Sequence, residues 1–123
     1  MVWEWAVAYL ITCAVEVPLI VVLVRGLGWR AERAPGSWLM AWLLQLTHPV
    51  LWLAGPVEVW ALAIAEVVVT VVEATGLYWW ATVLARQPGT ATTAESALLI
   101  AVIANAASLL TGLAFYWLTT GPA

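Results

Sequence analysis

Residues 58–85 read EVWALAIAEVVVTVVEATGLYWWATVLA. The run holds no Lys, Arg, Asp or Pro, and it exceeds the roughly 20 residues that an α-helix needs to cross the hydrocarbon of a bilayer. A soluble helix would interleave charged residues along the face turned to water. This stretch therefore reads as a membrane-crossing helix. Two acids, Glu66 and Glu73, nevertheless stand inside it.

Three further stretches match it, at about Trp3–Val24, Ser37–Ala54 and Ser96–Leu118. The connections Arg25–Gly36, Gly55–Val57 and Arg86–Glu95 each carry Gly or Pro, which interrupts the apolar run. No connection is long enough to hold a soluble domain. The expectation is an all-α integral membrane protein, a four-helix transmembrane bundle forming one transmembrane domain over residues 1–123. Trp3-Glu4-Trp5 lacks the basic start of a secretory signal, so the first span is expected to stay in the mature protein.

Composition agrees. Apolar residues make up 65% of the 123 and charged residues 9%, and the mean hydropathy is +1.00. Soluble domains run near half apolar and a quarter charged. A net charge of −3, with four Arg and no Lys, excludes a nucleic-acid surface, and the missing Lys excludes Schiff-base chemistry. A lone Cys13 forms no intrachain disulfide, and there is no Cys/His cluster for structural zinc. A lone His48 cannot supply both axial ligands of a bis-histidine haem.

The arginines orient the chain. Arg25, Arg30 and Arg33 lie in the first connection and Arg86 in the third, which share one side of a four-span bundle. The second connection and both termini carry no Arg or Lys. The positive-inside rule then predicts a multi-pass protein of the cell membrane with both termini outside. Aromatic residues fit two interfacial belts. Trp3, Trp5, Trp52, Trp60, Tyr116 and Trp117 fall near the outer ends; Trp29, Trp38, Tyr78, Trp79 and Trp80 fall near the inner ends. Trp42, one turn deeper than Trp38, fits least well.

The polar residues inside the spans carry the functional question. They are Glu16 in the first, Gln45, Thr47 and His48 in the second, Glu66 and Glu73 in the third, and Asn105 and Ser108 in the fourth. A charged group at a helix centre raises the insertion free energy by about 2.5–3.5 kcal/mol, so three carboxylates need compensation. At about 1.5 Å per residue, Glu16 lies roughly 12 Å from the inner end, Asn105 roughly 15 Å, and His48 and Glu73 roughly 16 Å. All four spans bring a polar side chain to the middle third of the bilayer.

Helical phase sharpens the pattern. Glu66, Thr70 and Glu73 share one face of the third span; Ala41, Gln45, His48 and Trp52 one face of the second. Tyr9, Thr12 and Glu16 do so on the first, and Ala97, Ala101, Asn105, Ser108 and Gly112 on the fourth. Turning every stripe inward gives one shared site. Pro18 removes the hydrogen bond to the Ala14 carbonyl and Pro49 the one to Gln45, so two kinks are expected to present acceptors to that site.

The leading functional expectation is a site that binds or conducts a cation or protons, built from Glu16, His48, Glu66, Glu73, Asn105 and Ser108. Intramembrane Glu and His are typical of ion pathways and proton relays, and both can exchange a proton with a coupled ion. Glu16, His48, Glu66 and Glu73 would also make an oxygen-rich set with one imidazole, suited to a divalent metal ion such as Mn, Fe or Zn. A second reading is a polar clasp that fixes helix register in an accessory subunit of a membrane complex. A third is a small membrane enzyme using His48 and the carboxylates, although no nucleophile elbow or HExxH is present. Four helices leave little room for a large solute, so a larger path would require a homo-oligomer or a membrane-protein partner.

Length, four spans and Glu16 within Ala14-Val15-Glu16-Val17 look like the small multidrug resistance transporters, which carry one essential Glu in their first helix. The resemblance covers about one helix. Thr47-His48-Pro49 and the Glu66/Glu73 pair depart from it, and the chain is not identified as a member.

Overall fold

A computed structural model describes residues 2–27, 36–54, 59–84 and 94–121. Among them every regular element is helical: α1 (Val2–Gly26), α2 (Ser37–Leu44), α3 (Thr47–Ala54), α4 (Val59–Trp79), which passes into a turn of π-helix (Trp80–Leu84), and α5 (Ala94–Thr120). Three helices are long and apolar enough to cross a membrane, over Ala6–Gly26, Ala63–Val83 and Ala94–Thr119. The described chain is thus that of an all-helical membrane protein.

The local chemistry is that of helices without water. Backbone polar groups at bilayer depth must be satisfied internally. The hydroxyls of Thr70, Thr75 and Thr111 turn back to the carbonyls of Glu66, Val71 and Ala107, each at 2.8 Å, the geometry that hides a hydroxyl on an apolar helix. α5 stops at Gly121, whose φ of 70° suits a residue without Cβ, and whose N–H caps the Trp117 carbonyl at 3.0 Å.

The second apolar stretch departs from the single span expected over 37–54. It is two eight-residue helices, α2 and α3, separated at Gln45–Leu46. Pro49 supplies the cause, because it has no N–H and its ring collides with the carbonyl four residues back. The chain tightens instead: the N–H groups of Gln45 and Leu46 reach the carbonyls of Trp42 and Leu43, and His48 N–H reaches the Gln45 carbonyl at 3.2 Å. These bonds span three residues, as in a 3₁₀ turn. The Gln45 carbonyl, expected to be free, is therefore occupied. Pro18 also departs from expectation. α1 runs unbroken across it, and Ala14 and Pro18 both lie on the exposed side while Glu16 is buried. The gap in the hydrogen-bond ladder faces away from the interior.

α1 packs most extensively on α5, α5 on α4, and α2 on α1; α3 leans on α4, and α2 touches α4. The apolar core takes Val17, Ile20, Val21 and Val24 from α1, Met40 and Ala41 from α2, Leu77 and Ala81 from the α4 side, and Ala97, Ile100, Ala101 and Ala104 from α5. Spacings of three and four residues recur on each helix, the signature of one buried face. Trp80 is buried at 3% exposure rather than lying in the inner aromatic belt. It continues the line of Glu73 and Leu77, so helical phase carries it inward. Trp38, Trp60, Trp79 and Trp117 are exposed, as anchors would be, and so is Trp42.

Arg25, in the last turn of α1, is exposed. Arg30, Arg33, Arg86, Trp29 and the 55–57 connection, on which the expected orientation draws, lie outside the described residues, as do the side chains of Trp3, Trp5, Trp52 and Tyr116.

α2 approaches α4 at a glycine. A Cβ placed on Gly76 would stand 2.8 Å from Leu44 Cδ2, well inside van der Waals contact. Gly76→Val is therefore expected to lower stability by about 1–3 kcal/mol, and adding Leu44→Ala is expected to restore part of the loss. Unfolding of the three variants in detergent micelles, followed by helical circular dichroism, checks this. A Gly76→Val protein as stable as wild type would show the crossing to be loose.

Candidate functional site

The apolar core is capped by polar side chains. Glu16, Gln45 and Glu73 are fully buried, and His48 and Asn105 are 9% exposed. Each arrives from a different place. Glu16 lies on the buried line of α1 with Cys13, Val17 and Ile20. Gln45 sits in the break between α2 and α3, and His48 in the first turn of α3. Glu73 is on the inward line of α4 four residues before Leu77, and Asn105 is on that of α5 four residues after Ala101. The break decides where His48 points: an unbroken helix through residue 49 would keep Gln45 and His48 on one continuous stripe, whereas the tight turn resets the phase.

The imidazole stands between the two acids. His48 Nε2 is 3.6 Å from Glu16 Oε1 and 3.7 Å from Glu73 Oε1. One donor atom from each of Glu16, His48 and Glu73 lies within 4.8 Å of the other two. The acids differ in how they are held. Asn105 Nδ2 donates to Glu73 Oε2 at 2.6 Å and also to the Ala101 carbonyl at 2.8 Å, which fixes the amide. The Thr47 hydroxyl is 3.1 Å from Glu73 Oε1 and 3.0 Å from the Leu44 carbonyl, and its single proton serves one of them at a time. Glu73 is thus braced on both oxygens.

Glu16 is not. Among the described residues neither of its oxygens has a hydrogen-bond partner, and neither do His48 Nε2, Gln45 Oε1 or Asn105 Oδ1. Buried polar atoms are nearly always partnered, and a buried charge must be paired or coordinate a metal. The two Glu16 oxygens and His48 Nε2 thus stand unpartnered, among the described residues, at the point where Glu16, His48 and Glu73 converge.

The remaining candidates lie at its margins. Glu66 is half-buried and, with Thr70 and Asn105, lines a groove of about 360 Å³ between α4 and α5. It is not among the three residues whose donor atoms converge. Ser108 pairs with Thr12 at 3.4 Å, tying α5 to α1. Thr47, which the sequence marks only as one polar residue among several, is the brace on Glu73. Its signal was its place beside His48 and Pro49, where a break turns consecutive side chains toward one point.

The Glu73–Asn105 bond joins α4 to α5, so Asn105→Leu is expected to cost about 1 kcal/mol, the range of interhelical hydrogen bonds in membranes. Ser108→Ala, removing a contact at the long limit of hydrogen bonding, is expected to fall within about 0.5 kcal/mol of wild type. Denaturation in mixed micelles ranks the two. A larger loss for Ser108→Ala would contradict the assignment of Asn105 as the principal tie.

Compared with protein-family models, curated proteins and solved structures, the chain matches none.

Proposed function

We propose that the chain is a four-span membrane protein that binds or conducts a cation or protons at an intramembrane centre of Glu16, His48 and Glu73. In this reading α2 and α3 together form the second, broken span, both termini lie outside, Asn105 and Ser108 support the centre, and Glu66 is an outer ligand in the α4–α5 groove. One observation carries it. Two fully buried carboxyl side chains face a single imidazole at 3.6 and 3.7 Å, and the apolar spans hold no Lys or Arg to answer them, Arg25 being exposed at the end of α1. Intramembrane acids of this kind mark ion and proton pathways.

The clasp reading has one observation in its favour, the bracing of Glu73 by Thr47 and Asn105. It accounts less well for Glu16, which has no hydrogen bond among the described residues and faces only the His48 imidazole, at 3.6 Å. Ser, Thr or Asn would tie the helices without the insertion penalty of an acid.

Glu73→Gln separates the two. A neutral amide keeps the shape and the bond capacity, so both readings expect a folded protein. The cation reading expects loss of proton or cation flux in liposomes; the clasp reading expects the variant to behave as wild type. Equal flux from both proteins across about pH 5–8, the range in which His and perturbed acids exchange protons, would leave the clasp as the better account. The topology is tested separately, by protease access to a tag on each terminus in intact cells. A protected tag at either end defeats the outside orientation.

A further inference from the structure

We infer that the cation held at this centre is a divalent transition-metal ion, ligated by Glu16, His48 Nε2 and Glu73 with at least one exchangeable position; the inference rests on the cation reading above. Geometry supports it first. A tetrahedral or octahedral ion bound at about 2.0–2.2 Å separates neighbouring ligand atoms by roughly 2.8–3.6 Å. His48 Nε2 stands 3.6 and 3.7 Å from one oxygen of each acid, too far for hydrogen bonds and close to the edge of such a polyhedron. The donor atoms of the two acids lie within 4.8 Å of each other, so binding would draw the carboxylates together along the third edge.

The unpartnered atoms point the same way. Both oxygens of the fully buried Glu16 and the Nε2 of His48 lack hydrogen bonds, while Glu73 is oriented by Thr47 and Asn105. Ligating carboxylates are commonly hydrogen-bonded by outer-shell groups that fix their direction. Charge is the third argument. Two carboxylates and a neutral imidazole sum to −2, and a divalent ion brings the centre to neutrality inside an apolar bundle. A monovalent cation leaves an uncompensated buried charge, which is costly.

Ligand chemistry narrows the ion. Imidazole suits Zn, Fe, Ni and Cu. Ca²⁺ takes six to eight oxygens, and Mg²⁺ keeps several waters rather than entering an all-protein cage. Cu⁺ prefers sulfur, and Cys13, although buried nearby, is not among the converging donors. Three protein ligands leave a place for water or for the amide oxygen of Asn105, whose nitrogen is bonded to Glu73 and whose oxygen has no partner among the described residues. A site of this kind exchanges its ion more readily than a closed four-ligand structural site.

The test is a Zn²⁺ and Mn²⁺ titration of the purified full-length chain in detergent after treatment with chelator. One equivalent per chain is expected, with X-ray absorption at the zinc edge showing one imidazole and oxygen neighbours at about 2.0–2.1 Å and no sulfur near about 2.3 Å. Glu16→Gln loses no hydrogen bond, so it should fold as wild type and lose saturable binding, as should His48→Asn. Thr47→Val should weaken binding roughly 10–100-fold, and Glu95→Gln, an exposed change at the start of α5, should leave it unchanged. Helical circular dichroism confirms folding of each variant. Binding that survives both Glu16→Gln and His48→Asn, or a sulfur neighbour at the zinc, overturns the assignment. A folded wild type that binds neither metal but retains Glu73-dependent proton or monovalent flux overturns the metal and leaves the cation reading standing; loss of flux as well overturns both.

Discussion

Two acids buried among apolar helices, with one imidazole between them and no Lys or Arg in reach among the described residues, form the constraint on which the rest of this structure depends. Neither Glu16 nor Glu73 has any exposed surface, and removing a carboxylate from water without an opposite charge is among the most expensive things a fold can do. The arrangement of the helices follows from that demand. α1 and α4 each turn an acid inward, α5 adds an amide, and the α2–α3 break adds an imidazole and a hydroxyl. The apolar core beneath, from Ile20 to Leu77 to Ile100, holds the four contributors in register. Apolar packing supplies cohesion, and the polar centre dictates which faces must meet.

Pro49 is the residue that lets a short segment contribute twice. An unbroken helix spaces its inward residues by three or four positions and can send only one polar group to a given depth. By stopping α2 and restarting α3 two residues later, the chain brings both Thr47 and His48 to Glu73. The backbone loses little, because bonds spanning three residues replace those that Pro49 forbids. Gly76 helps on the other side, allowing Leu44 to seat against α4 so that Thr47 reaches Glu73.

Much of this was legible in the residues themselves. Depth and phase together pick out Glu16, His48, Glu66, Glu73 and Asn105, because rise per residue and turn per residue are fixed properties of a helix and the spans have clear ends; of these, Glu66 lies apart from the converging donors. The same arithmetic ran out where the helix stopped being regular. The Pro49 rule predicted a disturbed helix and a free Gln45 carbonyl, but not that the chain would tighten and give that carbonyl to His48 N–H. Trp80 was placed in an interfacial belt by its position along the chain, when its phase with Glu73 and Leu77 put it inside. Glu66 shows the opposite limit. It shares a helix face with Glu73 at a spacing of seven, but that spacing is roughly 10 Å along the axis, which leaves it in the α4–α5 groove rather than at the centre. Thr47 was marked only by its place beside His48 and Pro49, since its bond to Glu73 comes from a cross-helix partner.

The place of the centre along the helices has an electrical consequence. Glu16 is fifteenth of the 25 residues of α1, and Asn105 twelfth of the 27 of α5. A charge held between them stands near the midpoint of the field that a polarised membrane imposes. Carrying one elementary charge through the whole of that field exchanges about 2.3 kcal/mol per 100 mV. A doubly charged ion stopping halfway exchanges the same amount, about a 50-fold change in occupancy for each 100 mV. On the proposed cation reading, burying the acids at mid-depth would couple the filling of the centre to membrane voltage, with no moving helix and no arginine ladder.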